Sequence, residues 1–590
     1  MMSAHFSRLK RYFIAGVGVW LLILFGVSRM FLLSDVSDEL IPRLARQTDG
    51  RKSSADEAAR IDTVLEKIEK LQKQNDVLNM RLRNLRSSKE KDGNNGNADG
   101  SSDNSDATSE EYLAPSKQFE FARRKLDSGI IEFWRYASAH LKTLNEVRDP
   151  DKVENLVKEM VDFMTEQKRV ILADIDNVER TSGVLEWKND KAQQLSAVVQ
   201  NRLKHLQNPA NCSKARRLRC GINKACGFGC QLHHVTYCLM AGYALNRTVI
   251  LDSKNWRYSR KGWESMFLPL SETCTLKDAA GYIPWKDTPE NYEAPVVELP
   301  IIDNIQTASG NNKRPEWLPQ AVPADLFSRI HAFHKNPPIW WLGQLLAYLW
   351  RYQKSTVTMM EELTNELHYK SPIVGVHVRR TDKIGTEASK HEVEEYMRKV
   401  AEYFDQLDVK MNKTQVRRVY LATDDPTVFR EAREKFPDYE VIGNFKSMES
   451  AGLNKRYSDE SLRGIITDIN FLSHSDHLVC TFSSQVCRLA YELMQARVAD
   501  ATDNYDSLDD VYYYGGQNSH NLEAILPHEA RTPEEISFKK GDLLGIAGNH
   551  WDGYSKGENL ETNKRGIFPS YKAVEHFVTV EMPRYEDKEV

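Results

Sequence analysis

PIVGVHVRRTDKIGTEA, residues 372 to 388, begins as a run that avoids water and ends in a crowd of ionisable groups. Pro372 to Val376 is apolar and partly β-branched, and PIVGVHV as a whole has the texture of a strand covered on both faces. Strands of that kind belong to parallel sheets flanked by helices. RTVILDS (247–253), RRVYLATDD (417–425) and HLVCTF (477–482) repeat the pattern. Between the later strands, VEEYMRKVAEYFDQL, PTVFREAREKF and SQVCRLAYELMQA carry apolar residues at helical spacing. The alternation predicts an α/β fold with a doubly wound parallel sheet.

Ligands of open α/β sheets bind beyond the carboxyl ends of the strands. Three predicted strands end in unusual chemistry there: Arg379-Arg380-Thr381-Asp382-Lys383, Asp424-Asp425-Pro426 and Ser483-Ser484-Gln485. Asp425 and Ser484 stand at N-cap positions, where a helix offers free N–H groups and the positive end of its dipole. An arginine adds bidentate contacts to phosphate oxygens. Together these residues describe a diphosphate site, with Asp424 or Asp425 free for a ribose or sugar hydroxyl. Each has a plainer reading: surface ion pairs for the arginines, simple caps for Asp425 and Ser484, a hydrogen-bonded core histidine for His377. No DxD sequence occurs between 207 and 520, so the protein itself is expected to neutralise the diphosphate. Asp149-Pro-Asp151 and Asp174-Ile-Asp176 match DxD, but among amphipathic helices, where solvated faces and a loop are expected.

The chain of 590 residues is too long for one core. Its formal charge of −4 argues against bulk nucleic-acid binding. Residues 1–11 are short and basic, and 12–33 are uncharged except for Arg29. This predicts a cytosolic tail and a type II signal anchor, with the rest of the chain lumenal. The alternative, a cleaved signal peptide, lacks a good small-x-small site. After a stem (34–56), Ile61, Val64, Ile68, Leu71, Asn75, Leu78, Leu82 and Leu85 form an a/d seam within 57–87. Asn75 at an a position favours a parallel two-stranded coil, against the alternative of one amphipathic helix. A Gly-, Asn-, Ser- and Asp-rich linker (88–114) precedes a helical region (115–206). An α/β subdomain (207–370), the sheet just described (371–520), a strand-and-turn module (521–582) and a tail (583–590) complete the chain. Eight cysteines in a lumenal chain predict disulfides. Cys226-Gly-Phe-Gly-Cys230 also invites zinc, a reading disfavoured in an oxidising compartment. Sequons at Asn211, Asn246 and Asn412 are compatible with a secretory route.

HVRRTDK, YLATDD and TFSSQVCR resemble the three blocks of the α1,6/α1,2/protein O-fucosyltransferase superfamily. CGFGCQLHHVTYC, NWRYSRKGWE, SLDDVYYYGGQN and GNHWDGYSKG are similar, more narrowly, to its eukaryotic α1,6-fucosyltransferase family, which fucosylates the innermost GlcNAc of N-glycans. The resemblance covers about residues 115 to 582. It implies a GT-B-like fold, with 371–520 as a Rossmann-type donor-binding unit and an SH3-like barrel at 521–582. The implied reaction is an inverting transfer from GDP-β-L-fucose to a GlcNAc O6, without metal or cofactor, on N-glycoproteins at the Golgi membrane. A homodimer through the coiled-coil and helical region is expected with it.

Motif by motif, the resemblance makes Arg379 the diphosphate clamp, supported by Arg380. His377, Tyr258, Asp468, Ser484 and Gln485 would line the donor site. The proton acceptor would be Glu387, with Lys383 as its ion partner or relay; Asp424 and Asp425 are the other candidates. Acceptor contacts would come from Lys224, Asp303, Asp509, Asp510, Tyr513 and Gln517, and from His550 in the barrel. The implied disulfides are Cys212–Cys274, Cys220–Cys238, Cys226–Cys230 and Cys480–Cys487. The barrel's first strand, EAILPHEA, lacks the tyrosines that line a proline-peptide groove, so such peptides are not expected ligands. A purely structural barrel is the alternative. Two other readings of the whole chain remain at this point: a related fucosyltransferase with another acceptor, and a membrane-anchored glycan-binding or SH3 scaffold with an inactive fold.

Overall fold

The computed structural model describes residues 116–380, 389–452, 455–549, 552–583 and 585. The predicted anchor, stem, coiled coil and linker lie outside the described residues, as do Lys383, Glu387 and His550. Among the described residues no helix is long and apolar enough to cross a membrane.

Three helices come first: Lys117–Glu146, Pro150–Thr181 and Val184–Gln207. Ser116 caps the first through the Phe119 N–H, and Asp149-Pro150 starts the second with a capping carboxylate followed by a proline that needs no donor. The turn into the third passes through Gly183 at φ 76°, a left-handed conformation that glycine adopts without strain. Asp174 is not on the solvated face that its place in an amphipathic helix predicts. It is buried and accepts a 2.6 Å hydrogen bond from Lys125 Nζ of the preceding helix. The second helix docks on the Val393–Met411 helix by charge: Lys168 and Arg169 both meet Glu402, Arg169 also meets Asp405, and Lys410 meets Asp176. The first two helices also leave large apolar side chains uncovered, among them Phe121, Trp134, Val161 and Phe163.

The next unit is a small parallel sheet in the order Thr248–Asp252, Arg217–Gly221, Val296–Glu298, Ile283–Pro284. Cys220–Cys238 fastens its central strand to the Phe228–Ala244 helix, and Cys212–Cys274 and Cys226–Cys230 bind the surrounding loops. That helix is buried along nearly its whole length, so it must be covered on every side. Helices Pro337–Leu349 and Gln485–Met494 supply part of the cover, and glycine permits their approach. A Cβ at Gly343 would lie 2.6 Å from the Glu492 carbonyl oxygen, and one at Gly229 would lie 2.7 Å from the Gln485 Cβ.

The second sheet is parallel throughout, in the order Tyr505–Ser507, His477–Cys480, Val374–Val378, Arg418–Thr423, Glu440–Ile442. The first strand in the chain is central. The chain builds outward on one side, then returns to build on the other, so the order reverses beside Val374–Val378. Both faces are covered, as the uninterrupted apolar runs predict. Val374, Val376, Val419 and Leu421 pack with Phe404 and Phe429 on one side. Tyr420 and Ala422 pack with Ile466, Ile469 and Leu472 on the other. Cys480–Cys487 ties a strand to the helix that follows it.

The C-terminal strands form a separate antiparallel sheet: Lys564–Pro569, Tyr554–Asn559, Leu543–Asn549, Asn521–Ala524, Ala573–Glu575. It closes on a small core of Leu522, Ile536, Phe538, Leu544 and Phe568. Val578–Val580 then pairs in parallel with Ala321–Pro323, binding the module back to the body.

The glycine contacts give a direct test. In Gly343→Ala the added methyl meets backbone, which cannot swing away, so the variant should lose about 1–3 kcal/mol of stability. Scanning calorimetry should show a lowered melting temperature; an unchanged one would mean that the helices are not held this closely.

Candidate active site

A cavity of about 490 Å³ lies where the two parallel-sheet units meet. His377 and Arg379 reach it from the end of Val374–Val378, and Thr423 and Asp424 from the end of Arg418–Thr423. Gln485 and Val486 line it from the first turn of the Gln485–Met494 helix, and Ser461, Ile465 and Asp468 from the Asp459–His474 helix. The Cys226–Cys230 turn and Tyr258 close it from the first unit. The cavity therefore sits on the carboxyl edge of the sheet, beside the strand where the order reverses.

Burial sets the charge state of its walls. His377 is buried; desolvation first, then the neighbouring Arg379 charge, holds its pKa down at about 4, so the ring is neutral near pH 7. Its Nδ1 has no hydrogen-bond partner, an orphan polar atom beside the cavity. Tyr258 accepts a 2.9 Å hydrogen bond from the Phe228 N–H, and burial pushes its hydroxyl up to about 12. Asp468 receives hydrogen bonds from Tyr420 (2.7 Å) and Ser447, yet desolvation outweighs both and raises its pKa to about 7. Arg379 Nε stands 3.9 Å from Asp424 Oδ2, a loose pairing, while Asp424 Oδ1 accepts from the Arg380 N–H at 2.8 Å.

Six of the nine expected donor-site residues line this cavity: His377, Arg379, Tyr258, Asp424, Asp468 and Gln485. Three do not. The Arg380 guanidinium turns to Glu431 (3.1 Å) and Glu392 (3.3 Å). Asp425 is a helix cap, accepting from the Thr427 N–H at 2.9 Å and the Thr427 hydroxyl at 2.7 Å. Ser484 is buried behind the wall, and its hydroxyl makes no capping bond. Sequence reasoning did not single out Ser447, Ser461, Arg456 or Tyr457. Tyr457 packs edge-on against Tyr258 at 5.2 Å and carries the Arg257 guanidinium on its ring at 4.2 Å. The available signal was RYSDES (456–461), where Ser458 caps the helix that carries Asp468.

The acceptor candidates are placed outside the cavity lining. Lys224 Nζ and Asp303 form a 2.6 Å ion pair. Asp509 stands at the same sheet edge as the cavity, accepting from the Ser483 N–H (3.3 Å) and the Ser507 hydroxyl (3.1 Å). Beside it, burial and then the Asp509 charge raise the pKa of Asp510. Tyr513 lies under the Arg488 guanidinium at 4.0 Å, and Gln517 accepts from the Tyr514 N–H at 2.7 Å. Among the described residues, Cys220, His234 and Cys238 have ligand atoms close enough to share a metal, but the two cysteines are bonded to each other.

All four disulfides pair as the resemblance implied. Comparison with known proteins agrees with that origin. A family profile described as alpha-(1,6)-fucosyltransferase N- and catalytic domains matches residues 2–513, and one for a variant SH3 domain matches 524–572, which makes the C-terminal barrel an SH3 domain. An alpha-(1,6)-fucosyltransferase of Drosophila melanogaster is 46% identical over 475 residues, 80% of this chain and 75% of its own. One of Caenorhabditis elegans is 41% identical over 468 residues, 78% of this chain and 79% of its own. A profile spanning most of the chain and relatives this similar along most of their length place the chain in the alpha-(1,6)-fucosyltransferase family.

Proposed function

We propose that the 490 Å³ cavity holds the nucleotide diphosphate of GDP-β-L-fucose, and that fucose passes with inversion to O6 of the Asn-linked GlcNAc of N-glycans without a divalent metal. The observation that carries this reading is the convergence of Arg379, a neutral His377 and the first turn of the Gln485–Met494 helix on one edge of the sheet. A guanidinium and helix N–H groups suit phosphate oxygens. Two α/β units facing one cleft fit a GT-B-like enzyme with a Rossmann-type donor half. Asp468, in the cavity wall, suits a guanine base, because the N1–H and exocyclic amine donors would stabilise its ionised form against the burial that raises its pKa.

In the reaction the acceptor O6 attacks the anomeric carbon of fucose. The bond from that carbon to the diphosphate oxygen breaks, and GDP leaves with the electron pair. Arg379 stabilises the charge that develops on the departing phosphate. The O6 proton passes to Glu387, with Lys383 beside it in sequence as relay or ion partner. Glu387 follows the strand that carries His377 and Arg379 by eight residues beyond Arg379, close enough in sequence to serve the same edge.

Residues 12–33 anchor the chain in the Golgi membrane in this reading, with the catalytic side lumenal. The four disulfides suit that compartment. The uncovered apolar side chains on helices Lys117–Glu146 and Pro150–Thr181 suit a second copy of the chain, giving a homodimer through the helical region.

The full-length chain, incubated with GDP-fucose and a GlcNAc-terminated N-glycan, should add one fucose to the innermost GlcNAc at the same rate with and without EDTA. Loss of transfer on chelation would reject the metal-free mechanism. Arg379→Lys exchanges a bidentate fork for a point charge and should lower kcat by roughly 10²-fold or more, in the range for losing a transition-state hydrogen bond. Glu387→Gln should bind GDP normally while turnover collapses, and normal turnover would remove Glu387 as the base. Trp134→Asp, at a site already 67% exposed, should convert a dimer to a monomer by light scattering; a dimer that persists would put the interface elsewhere.

A further inference from the structure

Among the described cavity-lining residues, Gln485 has its amide engaged from behind by a buried polar network. Its Oε1 lies 2.5 Å from His233 Nδ1. The other ring nitrogen, Nε2, lies 2.9 Å from Glu492 Oε2, and the Tyr512 hydroxyl donates to Glu492 Oε1 at 2.6 Å. The Tyr514 hydroxyl donates to the His233 carbonyl, and its ring meets the imidazole edge-on at 5.1 Å. His233 is 4% exposed and Glu492 fully buried, so water does not share these bonds. Gly229, one turn before His233 on the same helix face, lets the imidazole come this close.

The ring nitrogens both face oxygen atoms, the Gln485 amide oxygen at Nδ1 and the Glu492 carboxylate at Nε2, an arrangement that calls for a donor at each. A neutral ring donating to Glu492 would turn a lone pair toward Gln485 and would require its amide the other way round. The difference reaches the cavity. With Oε1 held by His233, the amide presents its NH₂ group to the ligand; reversed, it would present an oxygen, which repels the acceptor oxygens of a phosphate.

We propose that the buried His233–Glu492 ion pair is a positioning device that fixes the amide of Gln485 with its NH₂ group toward the diphosphate–ribose part of the nucleotide donor. It rests on the donor assignment above and adds residues that do not touch the ligand. Glu492 keeps the proton on His233; His233 keeps the oxygen of Gln485 out of the cavity; Gln485 donates one hydrogen bond to the donor.

The test is GDP binding to the full-length chain by titration calorimetry, with donor and acceptor KM measured beside it. Gln485→Ala and His233→Ala should each weaken GDP on the order of tenfold, the worth of one hydrogen bond to a charged group. The double variant should be no weaker than Gln485→Ala, because one route is being removed twice. His233→Asn restores a donor at the Nδ1 position and should recover most of the affinity. Gln485→Glu keeps the oxygen facing His233 but replaces the amino group, and should bind GDP at least as weakly as Gln485→Ala. Acceptor KM should stay unchanged throughout. Additive losses in the double variant, or no recovery in His233→Asn, would overturn the proposal. Should His233→Ala fail to fold, Glu492→Gln reads the same effect, and undiminished GDP affinity there would equally overturn it. If the wild-type chain itself does not bind GDP, the donor assignment falls and this inference with it, an outcome distinct from additivity among variants that bind.

Discussion

The approach of two helix starts at Gly229 is the constraint on which the site depends. The Phe228–Ala244 helix belongs to the first sheet unit and the Gln485–Met494 helix to the second, and their first turns meet with no room for a Cβ. That contact fixes the separation of the two units at the cavity. It brings Tyr258 and the Cys226–Cys230 turn opposite His377, Arg379 and Asp424, and it sets His233 against Gln485. A larger residue at 229 would part the helices, open the cavity and break the network behind it in one step.

The cavity wall is mostly uncharged by design of its surroundings. Desolvation keeps His377 and Tyr258 neutral and raises Asp468 toward neutrality. Arg379 brings a cation to this wall, its Nε 3.9 Å from Asp424 Oδ2. In a low-dielectric pocket one guanidinium counts for more than it would at the surface. Glu431 and Glu392 pair with the next residue, Arg380. Adjacent arginines thus face different ways: one holds the strand end to its neighbouring helices and the other lines the cavity.

Much of this was legible in the sequence. The parallel sheet followed from runs such as PIVGVHV, because a strand covered on both faces has no polar alternation to hide it. The cavity's place followed from the charged residues that end those runs. The roles of Arg380, Asp425 and Ser484 were not legible, since adjacent residues at a strand end point in different directions and only the packed helices show which way. The pairing of Asp174 with Lys125 needed the helix hairpin. The His233–Glu492 contact joins residues 259 apart in sequence, with no local pattern to mark it. Glu387 and Lys383, chosen because an inverting displacement needs a base near the strand end, and His550, carried over by family precedent, lie outside the described residues.

The parallel pairing of Val578–Val580 with Ala321–Pro323 bears on how the molecule is made. A chain emerging from the ribosome presents Ala321–Pro323 long before the strand that completes its edge. Until then those three residues lack their strand partner, and their backbone groups must be satisfied by water. The SH3 barrel, which precedes that late strand, is then less an appendage than part of a clasp: a chain cut short before Val578 would leave Ala321–Pro323 without the strand it pairs with.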